Sequence, residues 1–313
     1  DQNKWIELAK VFHHKRAAPG AVAALGYLQD SVPARAAVFP LSAMHYMETW
    51  KITDGERRKR LAAFMWELSQ GRTIASYRAL LVHELETALS KRFPSVLPAP
   101  FSLLSAGVSH AFGMPLLEFR LPEPIRSALA PGLVVQMEQD LRLRMERMAI
   151  AGEELGGAVA PAFRTTSHNQ SFMNHLADLH PRFSPLPPAK REGTLIAMSI
   201  ADILEPLNSV LIAHKVDPAS LGTLGKEGLT ALLLDLPSRA LDLQLHRQVL
   251  QNPHLKPKLT DLEDWGALPP AAAWCDIIVC EKHMADLLKR AGGECRAVVL
   301  TELGDLPDAL KCY

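Results

Sequence analysis

Two clusters of proline divide this chain more sharply than any other feature: Pro94, Pro98 and Pro100, then Pro181, Pro185, Pro187 and Pro188. Proline fixes φ and has no backbone N–H, so helices and interior strands tend to stop at such clusters. Residues 1–92 and 239–313 mix short apolar runs with helical patterns, whereas residues 93–238 carry helical patterns between the breakers. The middle stretch therefore reads as a mainly helical insertion, and the flanks as the first and second halves of one α/β domain.

Local patterns fill in this layout. Trp5, Leu8, Ala9 and Phe12 follow helical spacing. Ala36-Ala37-Val38-Phe39 reads as a buried parallel strand ended by Pro40, after which Ser42 caps a helix carrying His45, Glu48 and Trp50. Asp54 caps a helix from Gly55 to Gln70 that stops at Gly71, and Leu81, Leu85 and Leu89 mark one face of another. In the insertion, Val134, Met137, Leu141, Met145 and Met148 step by three and four, an ordinary packing stripe. Toward the end the patterns predict a helix over 238–250, strands over 276–280 and 297–300, and helices over 282–291 and 305–310. Thr260 is the expected cap of a helix through Asp261, Asp264 and Trp265, with Pro269-Pro270 interrupting or kinking it.

Composition bounds the function. With 34 Lys and Arg against 34 Asp and Glu, the formal net charge is zero, which excludes a polycationic coat for nucleic acid. The zero is a cancellation: residues 1–92 carry +5, residues 93–238 carry −3 and residues 239–313 carry −2. Asp202, Glu205 and Pro206 interrupt the longest apolar stretch, so no membrane span is expected. Charges at Asp1, Lys4, Glu7 and Lys10 do not suit a secretory signal, and four cysteines are too few for a disulfide framework. A cytoplasmic setting is the expectation. Cys275, Cys280 and Cys295 lack the paired knuckles of common zinc sites and suit packed strands better.

Several acids fall at strand ends or in first helical turns, where open α/β sheets place their chemistry. Asp1 opens the first helix, Glu48 follows the strand at 36–39, Asp261 and Asp264 open a helix, and Glu281 follows the strand at 276–280. Taken singly, an Asp at a helix start is usually a cap and a helical Glu is usually solvated. Gathered together, such carboxylates repel unless a divalent cation neutralises them, and Mg²⁺ or Mn²⁺ then activates water against a phosphodiester.

The order of these segments resembles PIN-domain nucleases. Asp1-x-Asn3 with Trp5-Ile6-x-Leu8-Ala9 is similar to the start of that family, whose first strand ends in an active-site Asp. The run from Val38 to Glu48 looks like its second strand and the helix with its catalytic Glu. Asp261-Leu262-Glu263-Asp264-Trp265-Gly266-Ala267-Leu268, then Cys275 to His283, is similar to its closing half. The likeness covers residues 1–92 and 239–313, and Glu281 stands where the family usually has Asp, one methylene shorter.

The resemblance implies a PIN-like parallel sheet flanked by helices, and a metal-dependent nuclease, an endoribonuclease first. RNA is the implied substrate with DNA second, in a toxin or phage-defence setting. Asp1, Glu48 and Asp264 would hold Mg²⁺ or Mn²⁺ and the attacking water, Glu281 or the rival Asp261 would complete the acidic set, and Asn3 would orient Asp1. Arg58, from the run Arg57-Arg58-Lys59-Arg60, would hold the substrate backbone with Arg247 and Lys258, and His283 would contact phosphate or metal. His45 and Glu48, three apart, are close enough to share a metal, though a surface His is the commoner role; His13-His14-Lys15-Arg16 reads as an exposed helix end. The insertion would set access, or carry a second copy of the chain or a partner protein. A nuclease-dead scaffold that binds protein or nucleic acid is the other reading. An aspartyl-nucleophile phosphohydrolase is disfavoured, because Asn3 leaves no Asp-x-Asp pair.

Overall fold

The computed structural model describes residues 1–34, 36–115, 119–153, 174, 178–179, 181–252 and 261–312, the last range without the side chains of 261–263. The described residues are 69% helical with 5% strand, and the chain divides into two compact units. One, here the N-terminal unit, holds Gln2–Ser76 and Ser102–Thr165. The other, the C-terminal unit, holds Asp1, Tyr77–Phe101 and Thr166–Tyr313.

The N-terminal unit begins with α1 (Gln2–Phe12) and α2 (Pro19–Ser31), which pack together, followed by α3 (Ala43–Trp50) and α4 (Gly55–Ser69). The Asp54 side chain accepts the Arg57 N–H at 3.0 Å and so caps α4, while Gln70 and Gly71 end it in left-handed conformations, φ 53° and 68°. Strand β1 (Arg72–Ile74) pairs antiparallel with β2 (Leu104–Ala106), and Leu41 makes one parallel bridge to Thr73. The short helices α6 (Val108–Phe112) and α7 (Glu123–Ala128) lead to the long α8 (Pro131–Ala151), which packs on α3 and α4. Trp5, Leu8, Leu28, Tyr46, Phe64, Met65 and Ile150 are buried there.

The C-terminal unit is built on α5 (Tyr77–Ser90), α9 (Pro188–Ala213), α10 (Gly225–Leu234) and α11 (Pro237–Gln251). Leu81, Leu85 and Leu89 of α5 meet Ile203, Leu207 and Leu211 of α9 and Leu243 and Leu250 of α11 in one core. Among the described residues α9 is the one helix long and apolar enough to cross a membrane; its face from Leu195 to Leu211 is buried in that core. A second core joins the opposite face of α11 to α12 (Asp261–Trp274), to the parallel pair β3 (Ile277–Val279) and β4 (Val298–Leu300), and to α13 (Lys282–Arg290). The helix α14 (Leu306–Leu310) follows β4. Helix α12 continues through Pro269 and Pro270 and buries Trp265, Leu268 and Ala272.

The expected α/β fold with a PIN-like parallel sheet is corrected by these elements. Among the described residues there are two two-stranded sheets of three-residue strands, one antiparallel and one parallel, and no parallel sheet forms a core. Residues 36–39 form no strand, and Val38, expected inside a sheet, is 49% exposed. The Ala36 N–H is committed to the Ser31 carbonyl at 3.0 Å in the turn that follows α2, and Pro40 at the other end has no N–H to add to a ladder. The apolar surface is buried between helices instead.

Candidate functional site

At the carboxyl end of β3 the ladder continues one residue, with the Cys280 N–H donating to the Leu300 carbonyl at 3.0 Å. Glu281 then turns the chain as the N-cap of α13, at φ −65° and ψ 150°. A helix start leaves backbone N–H groups without helical partners. Here the N–H of Glu281 donates to Oδ2 of Asp1 at 3.0 Å. The Asp1 carboxylate is thus held on the backbone of a residue 280 positions away, at the end of a parallel strand pair. Lys282 lies 3.8 Å from Glu302, and His283 is half-buried in the first turn of α13.

The other expected site residues are distributed as follows. Asp264 is half-buried on α12, a helix that packs against β3. Asp261 begins the same helix, with its side chain outside the described set, and Lys258 lies outside the described residues altogether. Arg247 forms an ion pair with Glu192, Nη2 to Oε1 at 2.5 Å and Nε to Oε2 at 3.1 Å, and also bonds Gln244. Glu48, Asn3 and Arg58 belong to the N-terminal unit. Glu48 is half-buried on α3 and Asn3 is exposed on α1. Arg58 donates from Nε to the Ala151 carbonyl and from Nη1 to the Ile52 carbonyl, each at 2.7 Å. Ala151 is the last residue of α8, so this guanidinium satisfies a carbonyl with no helical partner and sits at the negative end of the helix dipole.

Neighbouring Glu48, the His45 ring is committed elsewhere. Its Nδ1 accepts the Ser42 N–H at 2.9 Å, and the ring packs T-shaped on Trp5 with centroids 5.9 Å apart. Burial pushes its pKa down to about 3, so the ring is neutral at pH 7. Among the described residues, no group of three or more His, Cys, Asp or Glu side chains is arranged to hold a metal ion. Cys275, Cys280, Cys295 and Cys312 are thiols outside any disulfide, and Cys280 is buried in the second core one residue past β3.

One polar cluster escaped the sequence reading. In the C-terminal unit, buried Arg239 lies 2.8 Å from Asp242, 3.3 Å from Asp202 and 3.1 Å from the Tyr77 hydroxyl. The Asp242 contact is an ion pair without hydrogen-bond alignment. Asp242 also stands 3.4 Å from His246, whose ring meets the edge of Trp265. Burial alone would raise the Asp242 pKa, but His246 and Arg239 hold it below the usual range. Burial alone would lower the His246 pKa, but Asp242 raises it. The signal was the spacing Arg239, Asp242, His246, which places the three on one helical face.

No protein-family model, curated protein or solved structure matches this chain.

Proposed function

We propose that the chain is a metal-dependent nuclease that hydrolyses phosphodiester bonds, with RNA as its first substrate and DNA its second. The observation that carries the proposal is the hydrogen bond that holds the Asp1 carboxylate on the backbone N–H of Glu281, just past β3. The packing of α12, which bears Asp264, against β3 supports it. So does the order Asp1, Glu48, Asp264, Glu281 along the chain, which is similar to that of PIN-domain nucleases; the sheet lends it no support.

Mg²⁺ or Mn²⁺ is the cofactor of this reading, supplying charge neutralisation for phosphate and an activated water when bound. Asp1 and Glu281 are too few donors to make that site, so Asp264, whose helix packs against β3 within the same unit, is assigned with them. The N–H of Glu281 fixes the orientation of the Asp1 carboxylate. A toxin or phage-defence role would follow from cleavage of cellular RNA.

A second reading, a nuclease-dead scaffold that binds nucleic acid or protein, is favoured by one observation: Asp1 spends an oxygen on the Glu281 N–H, as a purely structural helix cap would. Incubation with mixed RNA and DNA in Mn²⁺ or in EDTA separates the two. Cleavage that needs Mn²⁺ and is lost in both Asp1→Asn and Asp264→Asn supports the nuclease. Binding without cleavage establishes the scaffold, and equal cleavage by wild type and Asp264→Asn removes Asp264 from the mechanism.

A further inference from the structure

The run Lys10 to Arg16 and the run Arg57 to Arg60 are some 40 residues apart in sequence, and the N-terminal unit folds them together. The Phe12 ring of α1 packs on the Phe64 ring of α4 with centroids 5.2 Å apart. One residue on, His13 Nε2 stands 3.3 Å from the Arg60 carbonyl. The chain then leaves α1 through His14 in the left-handed conformation, φ 54°. Lys15 and Arg16 follow that turn and are exposed. Arg57 and Arg60, three apart on α4, are exposed as well.

Not every cation of these runs is available. Lys59 is paired with Glu153 at 3.1 Å, and Arg58 is held by two carbonyls. Lys10, Lys15, Arg16, Arg57 and Arg60 remain, and none of them forms an ion pair among the described residues. The acids on the same elements are Glu7, which pairs with Lys4 at 3.8 Å, Asp54, which caps α4, Glu56, and, toward the far ends of α4 and α2, Glu67 and Asp30. Lys10 and Arg16 also line a groove of 590 Å³ between α1 and the start of α2, and Asn3 lines it with them.

From this juxtaposition we infer that the α1–α2 corner and the first two turns of α4 form a binding surface for the phosphate backbone of single-stranded nucleic acid. Three of the five cations are arginines, whose planar donor fork matches phosphate oxygens. A membrane surface fits less well: of the large exposed apolar residues of the described chain, Val22 of α2 lies near this corner and none comes from 1–16 or 51–69, whereas interfacial helices anchor by inserting a whole apolar face. The inference rests on the nuclease reading for its substrate class. Asn3, two residues along the chain from Asp1, is where groove and proposed acidic site adjoin in sequence.

The test is binding without chemistry. A labelled single-stranded RNA is titrated in EDTA over a range of salt with wild type, with Lys15→Gln/Arg16→Gln/Arg57→Gln/Arg60→Gln, and with a control lacking four exposed cations elsewhere, Lys190→Gln/Lys226→Gln/Lys289→Gln/Lys311→Gln. Each lost phosphate contact flattens the slope of log K against log salt by about 0.7. The first variant is therefore expected to bind about tenfold or more weaker, with a slope shallower by roughly 2 to 3; the control stays near wild type. Arg16→Lys/Arg57→Lys/Arg60→Lys keeps the slope, which separates charge from misfolding. Equal loss in both quadruple variants, an unchanged slope in the first, or equal binding of polyglutamate or of anionic vesicles overturns the inference. The nuclease reading fails separately, if wild type binds RNA in EDTA yet leaves it intact in Mn²⁺.

Discussion

The indole Nε1 of Trp274 donates to Oε1 of Glu84 across 2.7 Å. The same carboxylate, 1% exposed, accepts from the Ser238 hydroxyl at 2.8 Å and from the Ser238 N–H at 3.1 Å. Ser238 is the second residue of α11, so Glu84 satisfies an N–H that the helix cannot and places negative charge at the positive end of its dipole. Burial pushes the Glu84 pKa up, and these donors with nearby Arg239 pull it back.

Removing the side chain strands three donors at once. Glu84→Ala is expected to lower stability by about 3–5 kcal/mol, and Glu84→Gln, which keeps an acceptor, by about 1–2 kcal/mol. Urea unfolding of the three proteins measures both. A loss below about 1 kcal/mol for Glu84→Ala would show that water replaces the carboxylate without cost.

Arg239 and Asp242 invite a cycle of variants. Both are buried, with relative exposures of 8% and 7%. Arg239→Met leaves the Asp242 carboxylate with His246 as its remaining ion partner among the described residues, and breaking such a buried pair costs about 3–5 kcal/mol. Replacing both charges, Arg239→Met with Asp242→Leu, is expected to recover at least half of that loss. Additive losses in denaturation measurements would mean that the two residues act independently.

The helices were largely legible in the sequence, because an apolar stripe of period 3.6 needs only local information. Trp5, Leu8 and Ala9 are buried on α1, Leu81, Leu85 and Leu89 on α5, and Asp54 caps α4. Segments 277–279 and 298–300 form strands within the spans expected for them. The segment at 36–39 was misread because strand formation depends on a distant partner that an apolar run does not disclose. The same holds for the cations. Arg58 finds the carbonyl of Ala151, 93 residues away, and Arg247 finds Glu192, 55 residues away, and neither partner is written in the local pattern. Nor does the local pattern disclose that the Asp1 carboxylate takes the N–H of Glu281, 280 residues away.

Two glycines should respond oppositely to alanine. Gly107 has φ +90°, and a Cβ there would lie 2.3 Å from the Glu146 carboxylate, which accepts the Val108 N–H at 2.7 Å. Gly107→Ala combines backbone strain with displacement of that buried carboxylate, for an expected loss of about 2–4 kcal/mol. Gly193, inside α9, has nothing within 4 Å of a built Cβ, and Gly193→Ala should gain about 0.5–1 kcal/mol. Thermal melts that move the same way for both would contradict this contrast.

His45 should make the protein acid-sensitive above the range where carboxylates titrate. In the folded chain burial holds its pKa at about 3, against an ordinary value of 6.5. Between those values the unfolded chain binds a proton that the folded chain refuses, so stability falls as pH falls, by up to about 1.4 kcal/mol per pH unit. Above pH 6.5 both states are neutral at this ring and the contribution is flat. From pH 7 to pH 5 the expected loss is about 2 kcal/mol. The ring holds the third position after Ser42 and accepts its N–H, a place where glutamine serves equally well in the Ser-x-x-Gln form of the capping box. His45→Gln should therefore keep the start of α3 and flatten the pH dependence. Urea unfolding at pH 7 and pH 5 decides it: a variant that loses as much stability as wild type on acidification would place the sensitivity elsewhere.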